Sequence, residues 1–278
     1  MTNVNLNTYV DPTSISLRPI SKLVAKEWIE RHHYTQNMNG CRYALGVYVK
    51  GNVNKFFDLG ETLIGAIIYA HPVSNKAIDS ICGTNELTLN EVLELIRLHI
   101  ADGYGKNIES YVIGQSFKWI RENDSAVKVL ISYADPEMGH AGKIYQATNW
   151  LYQGCGVSKL MPDYSIRLDE NGPWMHSRTV SERFGNKKIE NLARAIGHTF
   201  WRKEETSKHR YIYFLTDKKE TKRLKKLLKL PVIKYSELQP VDQLIQKITV
   251  DASGAVLAVD RISGTGDGSF TMKSGRRI

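Results

Sequence analysis

Residues 127–142, VKVLISYADPEMGHAG, decide how the rest of the chain is arranged. The side chains of residues 127–134 would alternate between the two faces of a strand, and most of them are apolar on both faces. This pattern predicts a central strand that helices cover on both faces. The apolar run ends at Asp135, and a glycine-containing turn leads from there into a helix expected over 143–152. In open α/β sheets, ligands bind at turns that follow the carboxyl ends of central strands. This turn is therefore the first candidate site.

Strand and helix patterns alternate on both sides of the central strand and predict an α/β fold. Strands are expected at 16–20, 43–49, 63–70, 91–101 and 210–215. The segment 91–101 also fits a helix, because Leu93, Ile96 and Ile100 share a helical face. Helices are expected after Ser21, after Ser110 as N-cap, near 188–196 and over 218–230. Asn171-Gly172 predicts a hairpin that joins strands at 164–168 and 174–180.

Length and composition favour one domain with an appendage. The chain has 278 residues, of which 42% are hydrophobic, enough for a well-buried core. We expect an N-terminal segment over 1–15, one domain over 16–235 that includes the helix 218–230, and a C-terminal tail over 236–278. The tail contains one possible hairpin and a Gly/Ser-rich end, for which weak ordering is expected.

Two absences suggest a soluble cytoplasmic protein. The longest apolar stretch, 63–69, is far shorter than the roughly 20 residues that span a bilayer, and no charged segment precedes an apolar run at the N-terminus. The three cysteines are isolated, and an odd number is a poor disulfide framework. A reducing compartment and no membrane association are the expectation.

The net charge of +9 is concentrated in one stretch. Twelve basic and only four acidic residues lie between Arg202 and Lys234, so this stretch carries almost the whole surplus. On a helical wheel, five lysines of 218–230 lie opposite Leu224, Leu227 and Leu228. Such a surface suits the phosphates of a nucleic acid, although a solvated helix face is the alternative.

Several side chains near the central turn have chemistry to offer. His33, Asp135 and His140 have the composition of a two-histidine, one-carboxylate site for non-haem iron, provided that the fold brings them together. In the expected helix, Tyr145 and Asn149 lie one turn apart, and Tyr152 lies two turns from Tyr145. Core packing is one reading of these tyrosines, and a hydroxyl that gives a proton to a leaving group is the other.

The segment ATNWLYQGCG at 147–156 resembles the last conserved region of the GCN5-related N-acetyltransferase (GNAT) superfamily. The resemblance implies a mixed central sheet flanked by helices and the use of acetyl-CoA. The usual pyrophosphate-binding loop is absent from 101–112, so Lys106, Asn107 and Ser110 would hold the phosphates of the coenzyme with the first amides of the following helix.

A more specific resemblance, over residues 15–235, is to the phage Mom family of DNA modification proteins. The similar motifs are HHY at 32–34, GAIIYAHP at 65–72, ELIRL at 94–98, KNIES at 106–110, ISYADPEMGHAGKIYQATNWLYQG at 131–154 and KHRYIYFL at 208–215. The family implies a transferase that converts adenine in double-stranded DNA to N6-(carbamoylmethyl)adenine with acetyl-CoA, and a possible need for iron. The product would protect phage DNA from restriction in the host cytoplasm.

The resemblance also implies roles for individual residues. Arg97 and Ser110 would bind the acyl-CoA donor, with Ser132 nearby. The reaction centre would be lined by Asp135, His140, Tyr145, Asn149 and Tyr152, opposite His33 and Tyr34. Trp150, Tyr152 and Trp174 are candidates for stacking on a flipped base. The DNA backbone would be held by His176, Arg178, Lys222, Lys225, Lys226 and Lys229.

Two other functions remain open from the sequence. The first is a GNAT enzyme that acts on another amine, such as a protein lysine or an aminoacyl-tRNA. The second is a DNA-binding protein that keeps an acyltransferase scaffold without catalysis.

Overall fold

A computed structural model describes residues 11, 14–50, 60–136, 139–155, 163–205, 207–235 and 244–263. The chain forms two compact units. The first comprises Met1–Tyr133, Gly142–Gly154 and Arg210–Ser236, and the second comprises Ala134–Ala141, Cys155–His209 and Glu237–Ile278. Each unit is described by itself below. The expected division into a domain over 16–235 and a tail stays a prediction.

The described strands are β1 (Ile15–Pro19), β2 (Tyr43–Lys50), β3 (Glu61–Ala70), β4 (Val92–Ile100), β5 (Val129–Ala134), β6 (Leu151–Cys155), β7 (Tyr164–Arg167), β8 (Phe200–Glu204), β9 (His209–Phe214), β10 (Leu244–Val250) and β11 (Val256–Ser263). The described helices are α1 (Lys22–His32), α2 (Asn75–Cys82), α3 (Ile108–Asn123), α4 (Lys143–Ala147), α5 (Ser177–Phe184), α6 (Ile189–Ile196) and α7 (Lys218–Leu227). No helix in the described segments has both the length and the apolar character needed to cross a bilayer.

The first unit is built on a seven-stranded mixed sheet with the order β1-β2-β3-β4-β5-β9-β6. The central strand β5 is buried on both faces, as the apolar run predicted. Val129 and Ile131 pack with α2 and α7, whereas Ser132 points to the opposite face and reaches Tyr145 of α4. The predicted fold class, a mixed sheet flanked by helices, is therefore confirmed. The segment 91–101 is a strand, not a helix.

Pairing between β4 and β5 stops halfway along β4. The two parallel strands pair from Val92 with Val129 to Leu95 with Ser132, and β4 then continues to Ile100 without pairing with β5. On its other side, β4 pairs with β3, and the register shifts so that Ile96 has no partner. An unpaired residue of this kind is a β-bulge, which bends the strand. The bulge and the end of the β4–β5 pairing coincide, and this opens the sheet of the first unit at its centre.

The second unit contains an antiparallel sheet with the order β11-β10-β8-β7. Helices α5 and α6 pack on one face of it, around Ile166, Phe200 and Ile248. The hairpin expected in the C-terminal region is present as β10 and β11. Its turn is held by Asp251, whose carboxylate accepts the backbone N–H groups of Ser253 and Ala255. Residues 264–278, expected to be weakly ordered, lie outside the described residues.

Three predicted elements are wrong. The helix expected over 143–152 ends at Ala147, because Asn149 takes a left-handed conformation (φ 60°) and the following aromatic residues enter β6. Tyr152 is therefore a strand residue and does not share a helical face with Tyr145. Ser110 is not the N-cap of α3, since the helix begins at Ile108 and the Ser110 hydroxyl donates to the carbonyl of Asn107 at 2.9 Å.

The third error concerns the return strand of the hairpin at 171–172. Only one bridge, between Ile166 and Met175, follows the turn. The chain then enters α5 after His176, whose ring accepts the N–H of Arg178 as a helix cap. Val180 is buried against the second sheet from this helix, and its burial favours helix over a further edge strand.

We expect Gly65→Ala to weaken the first unit. A Cβ at this position of β3 would come within 2.6 Å of the carbonyl oxygen of His99 in β4. Strands cannot separate locally without loss of pairing, so the free energy of unfolding should fall by about 1–3 kcal/mol in urea titrations. Gly114→Ala in α3 is the control, because no atom lies within 4 Å of the added carbon. That variant should gain about 0.5–1 kcal/mol, and equal stability of the two variants would contradict the packing described.

Candidate functional site

A pair of hydroxyl groups lies where β4 and β5 separate. The Ser132 hydroxyl donates to the carbonyl of Leu95 at 2.9 Å, and it lies 2.7 Å from the Tyr145 hydroxyl. A serine has one proton to donate and the carbonyl can only accept, so the phenol of Tyr145 is the donor to Ser132. Burial raises the pKa of Tyr145 to about 12. Tyr145 therefore keeps its proton at neutral pH.

Arg97 follows the bulge and braces the backbone beside it. Its Nη1 donates to the carbonyl of Ile96 at 2.6 Å, and its Nε donates to the carbonyl of Asn37 at 2.8 Å. Burial lowers the pKa of Arg97, and Tyr34 and Glu94 lie close enough to oppose that effect. The guanidinium therefore remains charged and positioned at the gap between the strands.

Glu94 is a functional candidate that the sequence reasoning missed. Its carboxylate is close enough to act on the pKa values of Arg97, Tyr133 and Tyr145. The signal was the single acidic residue of a mostly apolar strand, between Leu93 and Leu95. A half-buried carboxylate among tyrosines and an arginine is the kind of group that enzymes use for proton transfer.

Aromatic and imidazole rings gather at the end of α1. The Tyr34 ring is 49% exposed and stacks on His33 with centroids 4.3 Å apart. The Nδ1 of buried His33 accepts the backbone N–H of Thr35 at 3.1 Å, which leaves Nε2 to carry the proton of the neutral ring. His99 was also missed. It accepts from the Trp28 indole at 3.2 Å, and burial lowers its pKa, so that it is neutral at pH 7.

The loop before α3 fits a phosphate group. Lys106 and Asn107 are exposed, and Asn107 begins the helix in a left-handed conformation (φ 68°). The first N–H groups of an α-helix have no partner within the helix, and they attract anions. Ser110 lies in this first turn with its hydroxyl bonded to Asn107, so its side chain contributes less than the backbone.

Three further predicted residues of the first unit differ in exposure. Tyr152 is buried on β6, with its ring 5.1 Å from that of Tyr211, and belongs to the core. Trp150 is fully buried as well, so neither ring is placed for stacking on a base. Asn149 is exposed between α4 and β6.

Residues 135–141 of the predicted turn belong to the second unit, and Gly142 belongs to the first. The half-buried carboxylate of Asp135 lies 3.4 Å from the ammonium of Lys208. His140 is exposed, and its backbone N–H donates to the carbonyl of Asp135 at 3.1 Å. Burial lowers the pKa of His209, and Asp135 opposes this. The Asp135 carboxylate therefore has the ammonium of Lys208 and the imidazole of His209 close enough to interact with it.

The donor set expected for iron does not fit. His33 belongs to the first unit, and Asp135 and His140 belong to the second. Within the part of the chain that the structure describes, no three His, Cys, Asp or Glu residues are grouped closely enough to hold a metal ion.

Helix α7 carries the predicted lysine surface. Asp217 caps the helix by accepting the N–H of Glu220 at 2.8 Å, and Leu224 is fully buried. The exposed lysines of this helix and the residues after it are Lys218, Lys219, Lys222, Lys225, Lys226 and Lys229. Arg223 forms ion pairs with Glu86 and Glu220, but none of these lysines pairs with a carboxylate of the described residues. Their charge is available to an external anion.

The second sheet has a basic and aromatic face, which we call the Trp201 face. Ile166 and Phe200 point to α5 and α6, so the paired residues Arg167 and Trp201 lie on the opposite face. The cation–π contacts of this face are Arg167 with Trp174 (4.9 Å) and Trp201 (5.4 Å), Lys203 with Trp174 (5.0 Å) and Lys247 with Trp201 (5.8 Å).

The two residues expected on the hairpin arm lie at the start of α5. His176 and Arg178 are both exposed. The Nε2 of His176 lies 3.3 Å from the carboxylate of Glu205, which also accepts the N–H and hydroxyl of Ser177. His176 is therefore engaged in holding the helix, and Arg178 is the better placed of the two to contact a phosphate.

These features define an α/β protein whose central sheet opens around hydroxyl, guanidinium and carboxylate groups. The model of the Mom protein family matches residues 14–237, and the chain belongs to that family. The methylcarbamoylase Mom of Escherichia phage Mu is 28% identical over 217 residues, which cover 76% of this chain and 79% of the relative.

Solved acetyltransferase structures also align with the chain. The spermidine/spermine N-acetyltransferase SpeG of Vibrio cholerae aligns at 11% identity and a TM-score of 0.41, over 76% of this chain and 98% of SpeG. NAA60 of Arabidopsis thaliana, in complex with a bisubstrate analogue, aligns at 13% identity and a TM-score of 0.40, over 73% of this chain and 99% of NAA60.

A double-mutant cycle should show that Ser132 and Tyr145 act together. Ser132→Ala leaves the Leu95 carbonyl and the buried phenol without their partner, so we expect a loss of about 1–3 kcal/mol in the free energy of unfolding. Tyr145→Phe removes one hydrogen bond and should cost about 1 kcal/mol. The double variant should lose less than the sum, because no phenol is left unpaired. Additive losses in urea titrations would show that the two hydroxyls do not interact.

Proposed function

We propose that the chain is a DNA modification enzyme that converts adenine in double-stranded DNA to N6-(carbamoylmethyl)adenine and takes the acetyl unit from acetyl-CoA. The biological result would be protection of phage DNA from restriction in the cytoplasm of the host. The observation that supports this most is the family match over residues 14–237, because that span includes the opened sheet, the hydroxyl pair and α7. The name of the phage Mu relative fits the same chemistry.

The proposed reaction needs two partners besides adenine and acetyl-CoA. Bond formation between N6 and the acetyl methyl carbon removes one hydrogen from each atom, which is a two-electron oxidation and requires an oxidant. Conversion of the thioester to the amide requires an ammonia donor and releases coenzyme A as the thiol. The test is therefore carried out in cells, where reactants of both classes are present.

The proposed reaction needs a base and an acid, and different candidate residues suit these two roles. The N6 lone pair of adenine is delocalised into the ring, so a base must remove a proton as the new bond forms. Glu94 of the first unit and Asp135 of the second, beside His140, are the candidate bases. Tyr145 keeps its proton at neutral pH and is the candidate acid for the departing thiolate, to which it would give the proton that it otherwise shares with Ser132.

Binding of the acetyl-CoA donor is assigned to the first unit. The exposed Lys106 and the amides of the first turn of α3 would hold its phosphates, with Asn107 and Ser110 shaping that turn. Arg97 and Ser132 would lie near the thioester, since both fix the backbone at the end of the β4–β5 pairing. A base flipped from the duplex needs an aromatic surface, and the exposed ring of Tyr34 on His33 offers one.

Two surfaces are proposed to hold the DNA backbone. The first is α7 with Lys222, Lys225, Lys226 and Lys229, whose charges no described carboxylate takes up. The second consists of the half-buried cations of the Trp201 face, extended by the exposed Arg178 of α5. Trp201 itself is buried and holds these cations from below. Cations placed over indole rings are held in fixed positions, and proteins that bind nucleic acids combine such cations with aromatic groups. Contacts of both kinds would orient the duplex without selecting its sequence.

The decisive experiment is nucleoside analysis of DNA from cells that express the chain. Plasmid DNA should contain N6-(carbamoylmethyl)deoxyadenosine by mass spectrometry, and it should resist restriction enzymes whose sites contain adenine. Unmodified DNA in cells with folded protein would reject the proposal. Acetylated protein lysines or aminoacyl-tRNA would then favour another amine acceptor, and tight duplex binding with neither product would favour a DNA-binding protein without catalysis.

Carboxylate variants should identify the base. Removal of a general base costs about 10²–10⁴-fold in rate, so either Glu94→Gln or Asp135→Asn should lose at least about a hundredfold in modification while duplex affinity is kept. Glu30→Gln and Asp260→Asn are matched controls, because both residues are exposed. Near-normal modification by both Glu94→Gln and Asp135→Asn would contradict the proposed proton transfer.

Neutralising the α7 lysines should change how DNA binding depends on salt. Each lysine that contacts a phosphate contributes about 0.9 to the slope of log K against log salt. We therefore expect Lys222, Lys225, Lys226 and Lys229→Gln to flatten that slope in fluorescence titrations of a duplex. Lys22, Lys50, Lys76 and Lys118→Gln remove the same charge from exposed positions elsewhere. Equal slopes for the two quadruple variants would show that α7 makes no specific contact.

A further inference from the structure

Arg210 is a buried arginine that none of the roles above uses. It lies at the start of β9, two residues before Ile212, and so its side chain shares the sheet face covered by α2 and α7. The residue is only 7% exposed. Arginine is almost never buried to this extent without a partner, so its surroundings call for an explanation.

The donors of Arg210 that lack a partner form a matched pair. Both Nε and Nη2 are buried and make no hydrogen bond. These two groups lie on the same side of the planar guanidinium and point in parallel. They form the fork that binds two oxygens of one phosphate or carboxylate. No carboxylate of the described residues forms an ion pair with Arg210.

The titratable groups that act on Arg210 do not neutralise it. They are Tyr133 of β5 and Cys82 of α2. Burial raises the pKa of the Tyr133 phenol and the pKa of the Cys82 thiol, so both groups are uncharged at pH 7. A buried charge without a counter-charge is strongly destabilising. A water molecule would accept the hydrogen bonds but would leave the charge in place, whereas an anion would accept the hydrogen bonds and also neutralise the charge.

Two neighbours favour phosphate over a simple carboxylate. The side chain of the exposed Lys229 passes Gly83, next to Cys82, and brings a second positive charge to this side of the first unit. Gln153 of the adjacent strand β6 points to the same face, two residues after Leu151, and its Oε1 is buried without a donor. An ionised carboxylate has no proton to offer that oxygen, whereas a singly protonated phosphate has one.

We propose that this part of the first unit is a binding site for a phosphate group, which Arg210 holds through the parallel N–H groups of Nε and Nη2. The site is separate from the loop before α3, and it lies beside one of the exposed lysines, Lys229. The proposal does not depend on whether the chain modifies DNA, because its test measures binding and not activity.

Thermal unfolding in phosphate and chloride at equal ionic strength tests the proposal. At a hundredfold excess of inorganic phosphate over its Kd, the Tm of the wild-type chain should rise by roughly 5–10 °C. Arg210→Met should show only the general salting effect of phosphate. In chloride alone this variant should be at least as stable as the wild type, because the unpaired charge is gone. An equal rise in both proteins would overturn the proposal.

Controls separate the possible sources of the phosphate. Arg42→Met removes an exposed arginine and should leave the full response. An Arg210-dependent rise with inorganic phosphate alone identifies a small ligand, and the same rise with a short duplex identifies the DNA backbone. A rise with acetate as large as that with phosphate would reject phosphate as the ligand.

A second variant covers the case in which Arg210→Met does not fold. Arg210→Lys keeps the charge but lacks the fork. We expect phosphate binding at one site per wild-type chain by calorimetry, with an affinity reduced at least about tenfold by Arg210→Lys. Absence of phosphate binding to the wild type, or equal affinity of the two proteins, would overturn the proposal.

Discussion

The end of the β4–β5 ladder is the constraint on which the first unit depends. Where two strands stop pairing, their backbone N–H and C=O groups lose their partners and must find others. Ser132 supplies a hydroxyl to the carbonyl of Leu95, and Arg97 supplies an N–H to the carbonyl of Ile96. Both side chains belong to the separating strands themselves. The residues that line the opening are therefore the residues that stabilise it, and a ligand that enters meets groups already held in place.

The packing around α4 explains why Tyr145 is held firmly in position. Helix α4 has only five residues and is too short to be stable by itself. Its position comes from packing, since the Tyr145 ring lies 5.2 Å from Trp150 and 5.0 Å from Tyr211. The phenol reaches Ser132 from this aromatic layer. Core packing and a chemical role, which the sequence left as alternatives for Tyr145, are thus compatible.

The sequence predicted the elements that local patterns determine and failed where distant packing decides. The two-faced apolar pattern of 127–134 identified the central strand, and the opposed lysines and leucines identified α7. The helix after Gly142 was predicted too long, because its sequence does not reveal that Trp150 is buried just before β6 and Tyr152 within it. Glu94 was missed for a related reason: its importance depends on Arg97, Tyr133 and Tyr145, which reach it only through the bulge and the sheet order.

Two arginines of the first unit differ in where their N–H groups find hydrogen-bond acceptors. Arg97 uses its donors on the carbonyls of Asn37 and Ile96, which the bulge and the neighbouring loop leave available. The carboxylate of Glu94 is close enough to balance its charge. Arg210 lies at the start of β9, and its Nε and Nη2 find no carbonyl to donate to. The first arginine therefore takes its partners from the irregular backbone beside it, whereas the second depends on an external anion.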